Sequence, residues 1–266
     1  MTASEREPLE DSNIYEPKDY ILKGKIALIT GSSRDIGASI AFKLASNGVI
    51  VVGNHRDIQK TNKADKVRQR IKESGGQIEF VRADITSVEG RNTLFDLFQS
   101  IHGDSASLDI LVLNASGPTR EINVDAANAL EDQFLPKMPI GGKIILMQSV
   151  PGHFYGEIGD PTAIPEYYRD VAQAKYQGEI SLRCRMLEFI QNGIDFYVVC
   201  PPAVYDSSNW RIFSWRDKLA GQKHKLLTEQ FGLPEKVSMD QVATQVVHLI
   251  KSDMPTGHTE LFQNLV

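Results

Sequence analysis

Short apolar runs alternate with longer amphipathic stretches along the chain from residue 25 onward. Each run has the length of a β-strand and is almost continuously apolar, which is typical of strands buried on both faces of a sheet. The pattern predicts strands at residues 26–29, 49–52, 78–81, 110–113, 144–147 and 196–199. Helical periodicity predicts helices at residues 39–46, 61–73, 91–102, 125–137 and 171–191.

The repeated alternation of strand and helix predicts the fold class. Parallel strands that are joined by helices need right-handed crossovers, which place helices on both faces of the sheet. We therefore predict a Rossmann-like α/β fold: a doubly wound parallel sheet in a three-layer α/β/α single domain over residues 23–266. The rhythm lapses after Pro201-Pro202, and Ser238 with Gln241 then predicts a capping box for a helix through residue 250.

Residues 1–22 differ from the rest of the chain. Acidic residues outnumber basic ones there, and Pro8 and Pro17 interrupt any regular pattern. Such a segment has no apolar core of its own, so we predict a flexible acidic arm. The alternative is a clamp that binds a partner subunit.

Composition excludes several classes of protein. The 29 basic and 34 acidic residues give a net charge of −5, which argues against a nucleic-acid partner because phosphate binding needs a basic surface. No stretch approaches the ~20 apolar residues of a membrane span, and the first residues lack the order of a secretory signal. Cys184 and Cys200 have no companion Cys/His group, so we predict no metal site, no disulfide and a cytoplasmic location.

The first predicted strand runs directly into a glycine turn, T-G-S-S-R-D-I-G at residues 30–37, and then into a helix. Glycine lets the backbone approach a diphosphate, and the helix N-terminus offers free N–H groups and a favourable dipole. The position between the first strand and the first helix makes this signal much stronger than glycines alone. The predicted coenzyme contacts in this turn are Gly31, Ser33, Arg34, Ile36 and Gly37.

Together with motifs further along, this turn resembles the short-chain dehydrogenase/reductase family over residues 25–257. The family turn reads T-G-x-x-x-G-x-G, and Thr30, Gly31 and Gly37 match it, whereas Asp35 replaces the middle glycine. A carboxylate repels a diphosphate, so we expect Asp35 to point away from the coenzyme.

Other motifs follow in the family order. Asp84 comes after the third strand, Asn114-Ala115-Ser116-Gly117 after the fourth, and Pro201 after the sixth. The resemblance implies that Asp84 holds the adenine ring. It also implies that Asn114, Ala115, Pro201 and Lys175 contact the coenzyme.

The end of the second strand bears on coenzyme choice. An acidic residue there binds the ribose 2′-hydroxyl and rejects a 2′-phosphate, but residues 53–56 contain none. Arg34 and Arg56 are nearby, and the planar fork of arginine suits a phosphate. We therefore predict NADP(H) rather than NAD(H); the alternative is that both arginines are solvent-facing turn residues.

The resemblance implies a catalytic group of asparagine, serine, tyrosine and lysine. Asn123 matches the residue that supports a water relay, Ser149 the residue that holds the substrate oxygen, and Lys175 the residue that holds the nicotinamide ribose. The tyrosine position, four residues before Lys175, is Val171, which cannot donate a proton. General acid–base catalysis contributes roughly 10²–10⁴-fold in rate, so reduction needs another donor.

Three side chains are candidate donors. Tyr168 lies seven residues before Lys175 and ~10.5 Å away along a helix axis, so we expect it to serve only if the helix begins after it. His153 and Tyr155 lie in an insertion loop, residues 150–166, beside the expected substrate pocket. Histidine is a side-chain type that can donate a proton in this role. The alternatives are a solvated loop histidine and tyrosines that only pack.

A lid segment at about residues 203–238 follows the sixth strand. Its aromatic side chains are Trp210, Phe213, Trp215 and Phe231. Aromatic anchors with little regular pattern predict a cover over an apolar or ring-bearing small molecule. The alternative is a surface subdomain that packs or dimerises. The family threonine near the nicotinamide falls at Asp206 in this segment.

Three functions are compatible with these residues. The first is an NADP(H)-dependent oxidoreductase that acts on a carbonyl/alcohol pair with an atypical proton donor. The second is a non-redox cyclase, dehydratase or isomerase, and the third is a dinucleotide-binding protein without turnover. Fold alone does not choose among them. The resemblance also implies a homodimer or homotetramer.

Overall fold

The computed structural model describes residues 22–57, 61–103, 105–216 and 219–262. A seven-stranded parallel sheet forms its centre, in the order β3-β2-β1-β4-β5-β6-β9. The strands are β1 (Ile26–Ile29), β2 (Ile50–His55), β3 (Gln77–Arg82), β4 (Ile110–Leu113), β5 (Lys143–Met147), β6 (Asp195–Cys200), β7 (Ala203–Val204), β8 (Lys236–Val237) and β9 (Thr259–Leu261). This confirms the predicted doubly wound sheet and all six predicted strands.

Helices connect the strands and cover both faces of the sheet. They are α1 (Asp35–Ser46), α2 (Thr61–Glu73), α3 (Val88–His102), α4 (Ala126–Phe134), α5 (Val150–His153), α6 (Glu166–Arg183), α7 (Met186–Gln191), α8 (Ser208–Arg216), α9 (Ala220–Gln230) and α10 (Met239–Lys251). A π-helical turn at Glu121–Asp125 precedes α4, and a 3₁₀ turn at Leu135–Lys137 follows it. Within the described ranges, no helix is long and apolar enough to cross a bilayer.

Alternate strand residues enter two separate cores, as expected for strands buried on both faces. Ile29 packs in a cluster that includes α1 and α10 residues such as Leu44 and Val246. Leu28, the preceding residue, packs on the other face with α3 and α4 residues such as Phe98. The sheet is therefore the middle layer of three.

Several predicted boundaries were wrong for identifiable reasons. The first helix begins at Asp35, because the glycine turn leads directly into it. The predicted helix at residues 171–191 is two helices, α6 and α7, and α6 begins five residues earlier than expected. The capping box of Ser238 and Gln241 at α10 is confirmed. The short strand β9 was not predicted.

The lid segment packs against the insertion loop. The rings of Phe154 and Phe231 stack with centroids 3.8 Å apart and planes at 9°. Leu227 and Leu233 of the lid segment join Ile158 and other insertion-loop residues in a third apolar cluster. The side chains of Phe213 and Trp215, and residues 1–21 of the predicted arm, lie outside the part of the chain that the structure describes.

Candidate active site

The glycine turn lies at the carboxyl end of β1. The order of the strands reverses beside this strand, since β2 pairs with one edge of β1 and β4 with the other. Its close packing leaves no room for a side chain at Gly37, because a Cβ there would lie 2.6 Å from both Asn114 Nδ2 and Gly31 O. Ser33 is buried in the turn and Ile36 packs against the first core. A crevice at this reversal point is the usual ligand site of such sheets.

Asn114 and Ala115 fix this turn to the end of β4. Asn114 Nδ2 donates to Thr30 O at 2.9 Å and to Gly31 O at 3.2 Å. The backbone N–H groups of Asn114 and Ala115 both donate to Thr30 Oγ1 at 2.9 Å. These two residues therefore fix the shape of the turn, and this role does not depend on a bound ligand.

Asp35 has the left-handed backbone conformation that glycine adopts readily, with φ = +51°. Its carboxylate accepts hydrogen bonds from Ser208, the first residue of α8, at both the backbone N–H and the hydroxyl. Arg34 Nη1 donates to Ser208 Oγ at 2.8 Å and lies 3.3 Å from Asp35 Oδ2. The carboxylate of Asp35 is therefore directed toward a specific partner in the lid segment, Ser208.

The adenine end of the predicted site is formed by Asp84 and Arg56. Thr86 donates to Asp84 Oδ1 from its backbone N–H at 3.0 Å and from its hydroxyl at 2.7 Å. Burial raises the pKa of Asp84, but the Thr86 hydrogen bonds and the charge of Arg56 outweigh it and lower that pKa. Arg56 is exposed directly after β2.

Ser149, Lys175 and Asn123 converge near the carboxyl end of β5. A small pocket there is lined by Asn123 and Lys175 together with Leu113, Ala115, Ile122, Ala127, Leu146, Met147 and Gln148. Lys175 Nζ donates to Met147 O at 2.6 Å. Burial lowers the pKa of Lys175 to about 8, although the nearby Cys200 and Glu179 oppose the shift.

Asn123 lies in the π-helical turn and is buried. Its Nδ2 donates to Gly117 O at 2.6 Å and to Thr119 O at 2.8 Å. Gly178 of α6 approaches this turn so closely that a Cβ would lie 2.2 Å from Asn123 O. The bare backbone at Gly178 thus brings α6 against the asparagine.

The hydroxyl of Tyr168 lies near that of Ser149 and interacts with it. The helix does not begin after Tyr168, since α6 begins at Glu166, so the condition under which we expected this side chain to serve is not met. The position of its hydroxyl near Ser149 is what keeps Tyr168 a candidate donor. Burial raises the pKa of Tyr168, and the interaction with Ser149 opposes part of this shift.

His153 belongs to a partly buried network centred on the buried Glu179, which disfavours the alternative of a solvated loop histidine. Its Nδ1 lies 2.8 Å from Glu179 Oε1, and Arg183 Nε donates to the same oxygen at 2.8 Å. Gln148 Nε2 donates to Glu179 Oε2 at 3.0 Å. Burial raises the pKa of Glu179, but the hydrogen bonds and charges of His153 and Arg183 hold it below its ordinary value.

The other candidates have structural partners. The Tyr155 ring lies 5.9 Å from that of Tyr176 and packs in the third apolar cluster. Asp206 Oδ1 accepts from the backbone N–H of Met239 at 2.8 Å, at the start of α10. Pro201 is buried, and its carbonyl accepts from Val150 N at 3.3 Å.

Three residues of the site were missed from the sequence: Gln148, Glu179 and Ser208. Glu179 lies four residues after Lys175, and this spacing on one helix face could have revealed it. Gln148 is adjacent to Ser149, but strand alternation directs neighbouring side chains to opposite faces. Ser208 carried no signal, because its partner is 173 residues away in the chain.

Curated relatives of this chain include several reductases. It is 35% identical to elsinochrome reductase 1 of Elsinoe fawcettii over 150 residues, which cover 51% of this chain and 54% of that one. It is 30% identical to hydroxynaphthalene reductase arp2 of Aspergillus fumigatus over 217 residues, 73% of this chain and 71% of that one. The match with the first relative thus spans about half of that protein's length.

Solved structures and a family model agree with the fold. The angucycline C-6 ketoreductase LanV with bound NADP is 25% identical, with a TM-score of 0.70 over 90% of this chain and 94% of that one. L-Sorbose reductase from Gluconobacter frateurii, at 22% identity and a TM-score of 0.73, covers 92% of this chain and 97% of its own, and shows the fold alone. The model of the short chain dehydrogenases matches residues 25–161, just over half of the chain. The chain therefore belongs to the short-chain dehydrogenase family.

Proposed function

We propose that this protein is an NADP(H)-dependent oxidoreductase that acts on a carbonyl/alcohol pair, with Tyr168 as its proton donor. The observation that carries the proposal is the proximity of the Tyr168 hydroxyl to Ser149. Val171 leaves the family position without a donor, and Tyr168 supplies a phenol to the same serine from one helical turn earlier.

The chain's own residues fit a dinucleotide. The turn closed by Gly31 and Gly37 has no room for added side chains, and the N–H groups at the start of α1 suit a diphosphate. Asp84 and exposed Arg56 would hold the adenosine end, with the arginine on the 2′-phosphate. When bound, NADPH supplies the hydride. NADP-bound LanV supports this coenzyme.

Ser149 and Tyr168 would bind the substrate carbonyl oxygen together. The phenol of Tyr168 is protonated at neutral pH and can donate to the oxygen during reduction, although burial raises its pKa and makes it a weaker acid than free tyrosine. Lys175 is buried beside the same strand end and would hold the nicotinamide ribose. Its ammonium group, close to the site, favours negative charge that develops on the substrate oxygen.

The surroundings of Tyr168 indicate the substrate class. Tyr168 packs at the edge of the third apolar cluster, which joins the insertion loop to the lid segment. A substrate that meets its hydroxyl therefore also meets apolar side chains. The names of relatives include a hydroxynaphthalene reductase and a 3beta-hydroxysteroid dehydrogenase, whose named compounds contain fused rings. We propose a ring-bearing ketone or its alcohol.

The test is NADPH oxidation with a panel of fused-ring ketones, in wild type and in Tyr168→Phe. Loss of the phenol should lower kcat by roughly 10²–10⁴-fold while the NADPH dissociation constant stays unchanged. Tyr176→Phe is the matched control, because its ring packs on Tyr155 and should leave kcat unchanged.

Other outcomes contradict the proposal in different ways. Full activity in Tyr168→Phe together with loss of activity in His153→Gln would identify His153 as the proton donor. Product formation without oxidation of NADPH would indicate a non-redox enzyme. Failure of wild type to bind NADPH in a fluorescence titration would contradict the proposed oxidoreductase function altogether. The predicted homodimer or homotetramer is tested separately by light scattering.

A further inference from the structure

We propose that Asp35 is a latch: a positioning residue that holds helix α8 of the lid segment against the coenzyme turn and thereby slows coenzyme release. The proposal rests on the proposed function, since it takes the turn at residues 30–37 to bind a dinucleotide. Its structural part, the attachment of α8 to the turn, concerns the coenzyme-free protein as well.

The contacts join two elements that are far apart in the chain. The backbone N–H of Ser208 donates to Asp35 Oδ1 at 2.9 Å, and the Ser208 hydroxyl donates to Oδ2. Ser207 Oγ already accepts from Trp210 N at 3.2 Å at the start of α8. Asp35 adds an acceptor for the backbone N–H of Ser208, the first residue of this helix, and its negative charge interacts favourably with the helix dipole.

The backbone of Asp35 shows that the side chain is held against a conformational preference. Among the described residues it is the only non-glycine residue with positive φ. That conformation is strained for an ordinary L-residue, less so for aspartate, and it costs glycine almost nothing. Glycine would therefore serve the turn as well, and the contacts to Ser208 are what the carboxylate adds.

Arg34 explains how a carboxylate is compatible with a diphosphate turn. Its Nη1 lies 3.3 Å from Asp35 Oδ2 and donates to Ser208 Oγ at 2.8 Å. The guanidinium offsets the negative charge at the turn and strengthens the attachment of α8. This position assigns Arg34 to the latch and leaves Arg56 as the better candidate for the 2′-phosphate.

The lid segment is anchored separately at its far end. Phe231 stacks on Phe154, and Tyr205 N donates to Val237 O at 3.1 Å between β7 and β8. Movement of α8 away from the turn must break the Asp35 contacts but can leave the Phe231 stack intact. The latch is therefore the element whose loss opens the diphosphate side of the crevice.

The chain provides an internal probe of this movement. It contains two tryptophans, Trp210 and Trp215, and both lie in α8. Acrylamide quenching of tryptophan fluorescence therefore reports the exposure of this helix without any coenzyme. Release of bound NADPH is measured by stopped-flow displacement with excess NADP⁺.

Asp35→Gly removes the carboxylate and relieves the backbone, so the variant should fold. We expect stronger acrylamide quenching and NADPH dissociation roughly tenfold faster, as for the loss of a charged cap. Asp35→Asn keeps an acceptor for Ser208 N and tolerates positive φ but loses the pair with Arg34, so its effect should lie between those of wild type and Asp35→Gly. Asp240→Ala, which removes the ion pair with Lys43 outside α8, is the matched control and should change neither readout.

Unchanged quenching in Asp35→Gly would overturn the latch, and so would an Asp35→Asn variant that is more strongly perturbed than Asp35→Gly. If wild type binds no NADPH, the proposed function fails, while the quenching comparison still decides whether Asp35 holds α8.

Discussion

The coenzyme half and the substrate half of the crevice are built by different means. In the proposed coenzyme half, most positions match the family pattern and are tied to backbone atoms, as in the hydrogen bonds between Asn114 and Thr30, and Asp35 is the exception. In the proposed substrate half, Val171 and Asp206 stand where the family pattern leads us to expect tyrosine and threonine, and we propose that Tyr168 supplies the proton donor. A backbone cradle for a fixed ligand tolerates few changes, whereas a proton donor can come from a neighbouring position.

The largest effect that separates the halves is expected for Lys175→Met. Turnover should fall by roughly 10²–10⁴-fold, since the ammonium group is lost from the reacting end. Coenzyme affinity should change by less than tenfold, because the turn at residues 30–37 is intact. Steady-state kinetics and NADPH titration measure both, and undiminished turnover would refute the site. Lys66→Met, at an exposed position of α2, is the control.

Lys175 should also make the stability of the wild type depend on pH, and Lys175→Met should lack this dependence. Burial lowers the pKa of Lys175 to about 8, while the unfolded chain keeps the ordinary value near 10.5. Between these values the unfolded state binds more protons, so the free energy of unfolding should rise with pH, by at most about 3 kcal/mol. Denaturant titrations from pH 7 to 10 should show this rise in wild type and not in Lys175→Met.

An intermediate effect is expected at the adenosine end. Arg56→Ala should weaken NADPH binding by about 10–100-fold, the range for a lost charged hydrogen bond, and leave NADH binding nearly unchanged. Arg34→Ala should affect both coenzymes alike, because its guanidinium contacts Ser208 and Asp35. Fluorescence titrations compare the affinities of the two variants for NADPH and NADH. If Arg34→Ala weakened the binding of NADPH selectively, Arg34 would be the residue that contacts the 2′-phosphate.

The smallest effect concerns the lid segment and its pH dependence. Burial lowers the pKa of His224 to about 4, and its Nε2 is buried with no hydrogen-bond partner in the described part of the chain. Between pH 6.5 and 4 the unfolded state binds a proton that the folded state excludes, so stability falls as pH falls. From pH 7.5 to 5.5 the loss should be roughly 1 kcal/mol.

His224→Leu should remove this loss. The Trp210 ring lies 5.8 Å from that of His224, so tryptophan fluorescence follows the titration and the local unfolding. Parallel decreases in wild type and His224→Leu would show that another group is responsible.

Local patterns predicted most of the sheet and the coenzyme half. The strands are continuous apolar runs, and the glycine turn joins β1 to α1 without interruption, so neither depends on distant residues. The substrate half depends on the path of the insertion loop. The meeting of Tyr168 with Ser149 and of Asp35 with Ser208 is set by tertiary packing, which periodicity does not contain.

The contact of Gly178 with the backbone of Asn123 has a consequence for redesign of the pocket. Tyr168, Lys175 and Glu179 are all carried by α6, which is seated on the π-helical turn without an intervening side chain. A bulkier residue at position 178 would shift the whole helix and misplace the phenol, the amine and the carboxylate in one step. Variants with new substrate preference should therefore be sought in the insertion loop and lid segment, while the residues of α6 are left unchanged.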